Sequence, residues 1–144
     1  TQSDAKKVGI KINLKNVDYN VLDGIGVRGE YDLLISNILT EQAGDPEVFV
    51  NQYWKTNVDG SNPQNGSGYS NPEYDALSDQ LASEFDPAKR RDIIIKMEKI
   101  VQDDAATLIF GYPQTNMVSN KSVQNANIYP CDYYWVTKDI TPAK

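Results

Sequence analysis

Two apolar patterns near the start of the chain predict β-strands. In VGIKINLK, residues 8–15, apolar side chains recur at every second position from Val8 to Leu14, with glycine or polar residues between them. This period of two predicts a half-buried strand, because successive side chains of a strand point to opposite faces. Residues 31–39, YDLLISNIL, form a nearly continuous apolar run, which predicts a strand covered on both faces.

Apolar residues at helical spacing lie between these two predicted strands. Tyr19, Leu22 and Ile25 recur every third residue in DYNVLDGIGVRG, residues 18–29. This spacing predicts a short helix, which the two internal glycines weaken. The order strand, helix, strand predicts a βαβ unit that closes as a right-handed crossover.

Three residue pairs predict sharply defined helix starts: Asp45-Pro46, Asn71-Pro72 and Asp86-Pro87. An Asn or Asp side chain accepts hydrogen bonds from the first free N–H groups of a helix, and proline at the next position loses nothing. They predict one helix after Pro46 and two more over residues 72–84 and 87–104. The apolar contacts predicted for these helices are Val48, Phe49, Tyr53 and Trp54 in the first, Tyr74, Leu77 and Leu81 in the second, and Ile93, Ile94, Met97, Ile100 and Val101 in the third.

Charged residues in the last of these helices oppose its dipole. Lys89, Arg90 and Arg91 fall in its first turns, and Asp103 and Asp104 fall at its end. Each end therefore carries the charge that a helix dipole disfavours. We interpret the acidic pair as a solvated helix end, and we expect Asp86 and the surface to compensate for the basic residues.

The remaining segments are polar, interrupted or irregular. Residues 56–70 form a long loop rich in Gly, Asn and Ser, and loops of this length are uncommon unless they are functional or mobile. Residues 107–120 predict a strand interrupted near Pro113. The tail, residues 122–144, is irregular and aromatic, and its aromatic side chains either line a ligand cleft or, as we favour, cover the edge of a core. These are Tyr129, Tyr133, Tyr134 and Trp135.

Composition narrows the class of protein. The chain has 144 residues, enough for one domain, and we predict a single α/β domain over residues 1–144. Its net charge of −6 argues against a nucleic-acid partner, and no apolar run approaches the length of a membrane span. Histidine is absent and Cys131 is the only cysteine, so the sequence offers neither a His-based triad nor an internal disulfide.

Two short motifs favour plain loops over binding sites. GIGVRG, residues 24–29, has the spelling of a dinucleotide fingerprint, but that motif must leave a strand and open a helix, whereas this one comes after the predicted helix. NVDGSNPQNGSG, residues 57–68, faintly resembles a calcium loop, but its twelfth position is Gly68 instead of the closing glutamate. The residues predict no catalytic group, no metal ligand and no cofactor, and binding is favoured over catalysis.

Four segments, taken in order, resemble one family. They are GIKINLKNVDYN, GEYDLLISNI, GDPEVFVNQYW and the stretch from GYSNPEYD through DPAKRR to FGYP. Together they resemble the C-terminal part of the extracytoplasmic solute-binding proteins of the peptide and nickel ABC-transporter class, solute-binding family 5. The resemblance implies a periplasmic-binding-protein-like lobe of class II type, with a mixed sheet flanked by helices.

The resemblance also implies a larger protein with two lobes joined by a hinge. This chain would supply part of the C-terminal lobe, and the signal sequence, the first lobe and half of the cleft would lie outside it. A first residue of Thr1 fits that expectation. In this family the helices after NPEYD and DPAKRR are outer scaffold.

The turn after the second predicted strand is the site that the resemblance implies, because ligands of open α/β sheets collect beyond the carboxyl ends of strands. Peptide-binding members carry an aspartate here that pairs with the free α-amino group of the peptide, often preceded by a tryptophan. Aligned on GDP, these positions fall on Gln42 and Leu39, so the charge is absent, although Glu41 is adjacent. The predicted ligand-binding residues are Leu39, Thr40, Glu41, Gln42 and Ala43.

We therefore expect a substrate-binding component of an ABC importer that captures oligopeptides or dipeptides and delivers them to permease subunits. The expected location is extracytoplasmic, with a lipid anchor outside this chain. The alternatives are a protein of the same fold for another solute, such as a nickel chelate or an oligosaccharide, or a sensor receptor. A permease and two ATPases encoded nearby would favour transport, and a hydrolase is disfavoured because no nucleophile–base pair is evident.

Overall fold

The computed structural model of the chain describes residues 2–38, 44–114, 116–129 and 136–143. Two compact units share these residues, one over residues 1–100 and the other over residues 101–144. The single domain predicted over the whole chain stays a prediction. Within the described ranges the helices are α1 (Gln2–Lys7), α2 (Tyr19–Arg28), α3 (Pro46–Trp54), α4 (Pro72–Ser83) and α5 (Pro87–Asp103), and the strands are β1 (Val123–Gln124) and β2 (Thr141–Pro142).

The three predicted helix starts are confirmed. The side chains of Asp45, Asn71 and Asp86 each accept a hydrogen bond from the backbone N–H two residues ahead, at 2.9 Å in all three cases. Proline comes directly after each capping residue, where its missing N–H costs nothing. The predicted short helix around Leu22 is confirmed as well, as α2, which starts at an Asp18 cap.

Removing the cap of α5 is expected to destabilise the protein by about 1 kcal/mol. Asp86 accepts from the N–H groups of both Ala88 and Lys89, so Asp86→Ala leaves two donors without this partner. Urea denaturation measures the change. Asp86→Ser is the matched control because it keeps a capping oxygen, and equal midpoints for the two variants would contradict the role of the cap.

Side chains of α3, α4 and α5 form the buried core of the first unit. α3 packs on α4, and the hydroxyl of Tyr74, which is fully buried, donates to the backbone carbonyl of Val50 at 2.6 Å. Burial matches the predicted stripes of α4 and α5 at every third or fourth residue. Among the described residues of this unit, the buried apolar side chains are Val50, Tyr74, Leu81, Ile93 and Met97.

The predicted contacts of α3 were partly wrong. Val48 is 42% exposed, whereas Val50, which the prediction omitted, is buried. Residues two positions apart in an α-helix are separated by about 200° around its axis. Val48 therefore points away from α4 when Val50 faces it. The three aromatic residues predicted beside them form a half-buried cluster in which the rings of Phe49 and Trp54 meet edge to face at 5.0 Å.

The two predicted N-terminal strands are not strands in the described residues. Residues 10–15 and 31–38 have no ladder partner there, and their apolar side chains are largely exposed, at 73% for Leu14 and 79% for Leu33. Alternation predicts a strand only if a neighbouring strand supplies hydrogen bonds and covers the apolar face. No such neighbour lies within the described ranges, so the predicted βαβ unit is absent from them and the mixed sheet is not confirmed.

The second unit contains a small antiparallel ladder. Val123 pairs with Pro142 and Gln124 pairs with Thr141. The side-chain Nδ2 of Asn125, a residue with a positive φ of 61°, donates to the backbone carbonyl of Asp139 beside this ladder. The strand predicted over residues 107–120 is absent from the described part of that segment, where Leu108 and Phe110 are exposed for the same lack of a pairing strand.

Candidate functional site

The residues of the predicted ligand turn are not among those that the structure describes, but both flanking residues, Ile38 and Gly44, are. Leu39, Thr40, Glu41, Gln42 and Ala43 lie outside the described residues, as do Cys131 and the tail aromatics Tyr133, Tyr134 and Trp135. Their proposed roles stay predictions. The segment after the turn is described, beginning with Gly44 at a φ of 69°, a left-handed conformation that favours glycine.

Asp45 fixes the chain where it enters α3. One carboxylate oxygen of Asp45 accepts from the N–H of Glu47, and the other accepts from the guanidinium of Arg90 at 2.7 Å. The same guanidinium nitrogen donates to Glu47 at 2.8 Å. The two acids lie at the positive end of the helix dipole, which favours their negative charge.

The other half of the Arg90 guanidinium binds the end of α4. Its second terminal nitrogen donates to the carbonyls of Leu81 and Glu84, both at 2.8 Å. Helix ends leave carbonyls without an intrahelical partner, and Arg90 supplies one here. Its hydrogen bond to Glu47, with a smaller effect from the charge of Asp45, raises the pKa of Arg90 above its ordinary value.

The prediction that Asp86 and the surface compensate for Arg90 is therefore incomplete. The side chain of Arg90 is only 18% exposed and joins the start of α3 to the end of α4. The charge at the start of α5 is offset by acids of α3, in addition to the Asp86 cap. No local signal could have shown this, because Asp45 and Arg90 are separated by 45 residues.

Two asparagines hold the long polar loop against the end of α3. The side-chain amide of Asn62 donates to the carbonyls of Asn51 and Lys55, at 2.9 and 2.6 Å. Asn65 is buried, and its side-chain amide donates to the backbone carbonyls of Lys55 and Tyr69, at 3.0 and 2.8 Å. These bonds satisfy carbonyls at the C-terminal end of α3.

The calcium-like pattern of the loop is used for turns. Asn57 accepts from the N–H of Asn62 at 2.9 Å, and the hydroxyl of Ser61 accepts from the N–H of Val58 at 3.2 Å. In the ranges that the structure describes, no group of three or more acidic, histidine or cysteine side chains could hold a metal ion. The pattern therefore has a structural explanation in this loop.

The GIGVRG motif ends a helix and does not open one. Gly29 adopts a φ of 64°, its N–H donates to the carbonyl of Gly26, and the N–H of Glu30 donates to that of Ile25, which together form a Schellman cap. A dinucleotide fingerprint needs the opposite polarity, with a helix beginning at the glycines. The plain structural interpretation of this motif is supported.

The loop and the glycine-rich end of α2 meet backbone to backbone. A Cβ atom at Gly66 would collide with the carbonyl oxygen of Gly26 and lie 3.3 Å from the Cα of Val27. A Cβ at Gly29 would lie 2.6 Å from the carbonyl oxygen of Gly66. Space therefore requires glycine at position 66, and both space and the left-handed conformation require it at position 29.

An open groove of about 640 Å³ lies beside α3 and the loop. Most of its polar side chains bond to neighbouring protein groups, such as Asn51 to Ser78 at 2.8 Å and Thr56 to Ser70 at 3.1 Å. The groove thus lies over an internal network instead of presenting free polar groups. Its lining residues are Val48, Asn51, Gln52, Lys55, Thr56, Ser61 and Asn62.

Known proteins match the chain over most of its length. It is 32% identical over 125 residues to the probable D,D-dipeptide-binding periplasmic protein DdpA of Escherichia coli K12, which covers 86% of this chain and 24% of that protein. It is 30% identical over 135 residues to the nickel-binding protein NikA of Staphylococcus aureus, covering 94% and 26%. This chain is a relative of solute-binding proteins for peptides and nickel. The predicted resemblance is confirmed.

Further comparisons agree with this relationship. The di/tripeptide-binding protein 4 of Pseudomonas aeruginosa is 23% identical over 90% of the chain and 24% of its own length. The crystal structure of NikA from Staphylococcus aureus in complex with Ni(L-His)2 superposes with a TM-score of 0.73 at 25% identity, over 99% of this chain and 30% of that one. No model of a known protein family matches.

The comparisons also set limits on what the chain contains. It spans about a quarter of the length of the solute-binding relatives that it matches. The fold is that of the corresponding part of NikA, and the relatives named above are binding proteins. Across the described ranges, no helix has both the length and the apolar character needed to cross a bilayer.

Proposed function

We propose that this chain is part of the solute-binding component of an ABC importer that captures a short peptide between two lobes. The similarity to NikA over 99% of the chain carries the proposal. The names of the relatives support the ligand class, because they refer to D,D-dipeptides, di/tripeptides and a nickel complex of L-histidine. All of these ligands contain amino acids, and the nickel complex also contains a metal ion.

The mechanism that we propose is hinge closure. Solute bound between the lobes selects the closed state, and the permease subunits recognise that state. The protein acts outside the cytoplasm, is tethered by a lipid anchor and catalyses no reaction. Compaction on ligand addition, measured by X-ray scattering of the complete protein, tests closure, and an unchanged radius of gyration with saturating ligand would contradict it.

The mixed sheet implied by the family is completed by strands outside this chain. The exposed apolar side chains of residues 8–14 and 31–38 support this, because their pattern is that of strands and they lack a neighbour within the described ranges. The length of the relatives, about four times that of the chain, allows for such neighbours.

The proposed ligand turn comprises Leu39, Thr40, Glu41, Gln42 and Ala43. Gln42 offers a neutral hydrogen bond to a peptide amine where a carboxylate would offer a charged one. A charge-assisted hydrogen bond contributes about 1.5–3 kcal/mol, against about 0.5–1.5 kcal/mol for a neutral one. We therefore expect backbone hydrogen bonding and shape to contribute most of the affinity.

Calorimetric titration of the complete protein with one peptide, its N-terminus free or acetylated, tests this assignment. In the wild type, acetylation is expected to change the affinity only slightly. Gln42→Asp is expected to increase the preference for the free amine about tenfold, because it restores the charged partner. Gln64→Asp, an exposed change in the loop, is the control for added charge.

Each result has a defined meaning. A strong preference for the free amine that Gln42→Asp leaves unchanged would contradict the role of Gln42 and point to Glu41 or the other lobe. Failure of the wild type to bind either peptide would contradict the peptide assignment. Ni(L-His)2 is then the second candidate ligand, favoured by the complex of the structural neighbour.

A further inference from the structure

We infer that Arg90 is a positioning residue for the proposed ligand turn, fixing the point at which the chain leaves that turn and enters α3. The inference rests on the proposed function for its link to a ligand. Its structural part rests on contacts among described residues alone. Arg90 lies on the scaffold helix α5 and reaches Asp45, the second residue after the turn.

The geometry of the guanidinium suits this role. One terminal nitrogen binds the carboxylates of Asp45 and Glu47, and the other binds the carbonyls of Leu81 and Glu84. All four distances lie between 2.7 and 2.8 Å. A planar fork that donates in fixed directions can hold two elements in register, which a single ammonium group cannot do.

Asp45 is constrained through both carboxylate oxygens. One accepts from the N–H of Glu47 and sets the first turn of α3, and the other is held by Arg90 from outside the helix. Gly44, which directly precedes Asp45, adopts a left-handed conformation. A binding turn needs such support, because a loosely held site loses its geometry.

The neighbouring basic residue provides a matched comparison. Lys89 is exposed, and its ammonium lies 4.0 Å from Glu84, at the limit of an ion pair. Lys89 and Arg90 share the same helix turn and the same charge. Only Arg90 links the start of α3 to the end of α4, so changes at Lys89 leave the proposed support in place.

Hydrogen exchange of the ligand-free complete protein tests the structural part. Arg90→Lys keeps the charge but removes the fork, and it is expected to speed exchange over residues 44–50 about tenfold while residues 93–101 stay protected. Lys89→Gln is the control and is expected to leave both segments unchanged. Unchanged exchange over residues 44–50 in Arg90→Lys would overturn the inference, whatever the ligand.

Titration with the same free peptide tests the functional part. Affinity is expected to fall several-fold in Arg90→Lys at a temperature where the variant remains folded, and to be unchanged in Lys89→Gln. Faster exchange with unaltered affinity would overturn the positioning role while leaving the proposed function intact. If the wild type fails to bind the peptide but exchange rises in Arg90→Lys, the proposed peptide function fails and the support of α3 by Arg90 stands.

Discussion

Gly66→Ala is expected to destabilise the protein by about 3 kcal/mol, at the upper end of the usual cost of overpacking. The added Cβ would meet the backbone carbonyl of Gly26 and the Cα of Val27, so no side chain can move aside to make room. Either the loop must separate from α2 or α2 must shift. Chemical denaturation of the variant and the wild type measures the difference in the free energy of unfolding.

Two other glycines provide controls for this substitution. Gly111 has no atom within 4 Å of its would-be Cβ, so Gly111→Ala is expected to be nearly neutral. At Gly26 the Cβ would lie 3.3 Å from the end of the Leu34 side chain, which can rotate away, and alanine favours the helix by about 1 kcal/mol. If Gly66→Ala were as stable as Gly111→Ala, the result would contradict a close backbone contact between the loop and α2.

Raising the pH above about 10 is expected to destabilise the first unit through Tyr74. Burial, and then the neighbouring Tyr69 and Asp75, raise the pKa of Tyr74 well above the ordinary value of 10.0. Below pH 10 the hydroxyl is protonated in both the folded and the unfolded chain, so the stability is complete there. Above pH 10 only the unfolded chain ionises readily, and each further pH unit costs up to about 1.4 kcal/mol.

Denaturation midpoints between pH 8 and 12 test this dependence. Tyr74→Phe is expected to lose about 1 kcal/mol at neutral pH, because the hydrogen bond to Val50 disappears, and to show a shallower alkaline decline than the wild type. The exposed Tyr112 gives the control variant Tyr112→Phe. Equal alkaline slopes for wild type and Tyr74→Phe would contradict the assignment to Tyr74.

Local signals in the sequence predicted local structure well. The starts of α3, α4 and α5 could be predicted from an Asx-Pro pair alone, because a cap involves residues within three positions of one another. Periodicity likewise predicted the buried positions Leu81 and Met97. The α/β class was predicted from the order of the strand and helix patterns, whereas the periplasmic-binding-protein-like fold was predicted from the resemblance.

Features that depend on distant partners could not be predicted in this way. The apolar pattern of residues 31–38 indicates a strand, but its pairing depends on a partner strand that is not adjacent in the sequence. The same holds for the contact of Gly66 with Gly26 and for the bonds of Arg90 to α3. The ligand turn was identified from family resemblance alone, and the structure contributes the support just beyond it, at Asp45.

The asparagine-held loop has a consequence for the ageing of the protein. Asn62 and Asn65 act there as donors, each directing its side-chain NH2 group at two backbone carbonyls. Aspartate has nearly the same shape but can only accept when ionised, so it would repel those carbonyls. Hydrolysis of either side-chain amide during storage would convert asparagine to aspartate and place a negative charge where the loop needs a donor. The hydrogen bonds that hold the end of α3 would then be lost, although the mass of the protein would hardly change.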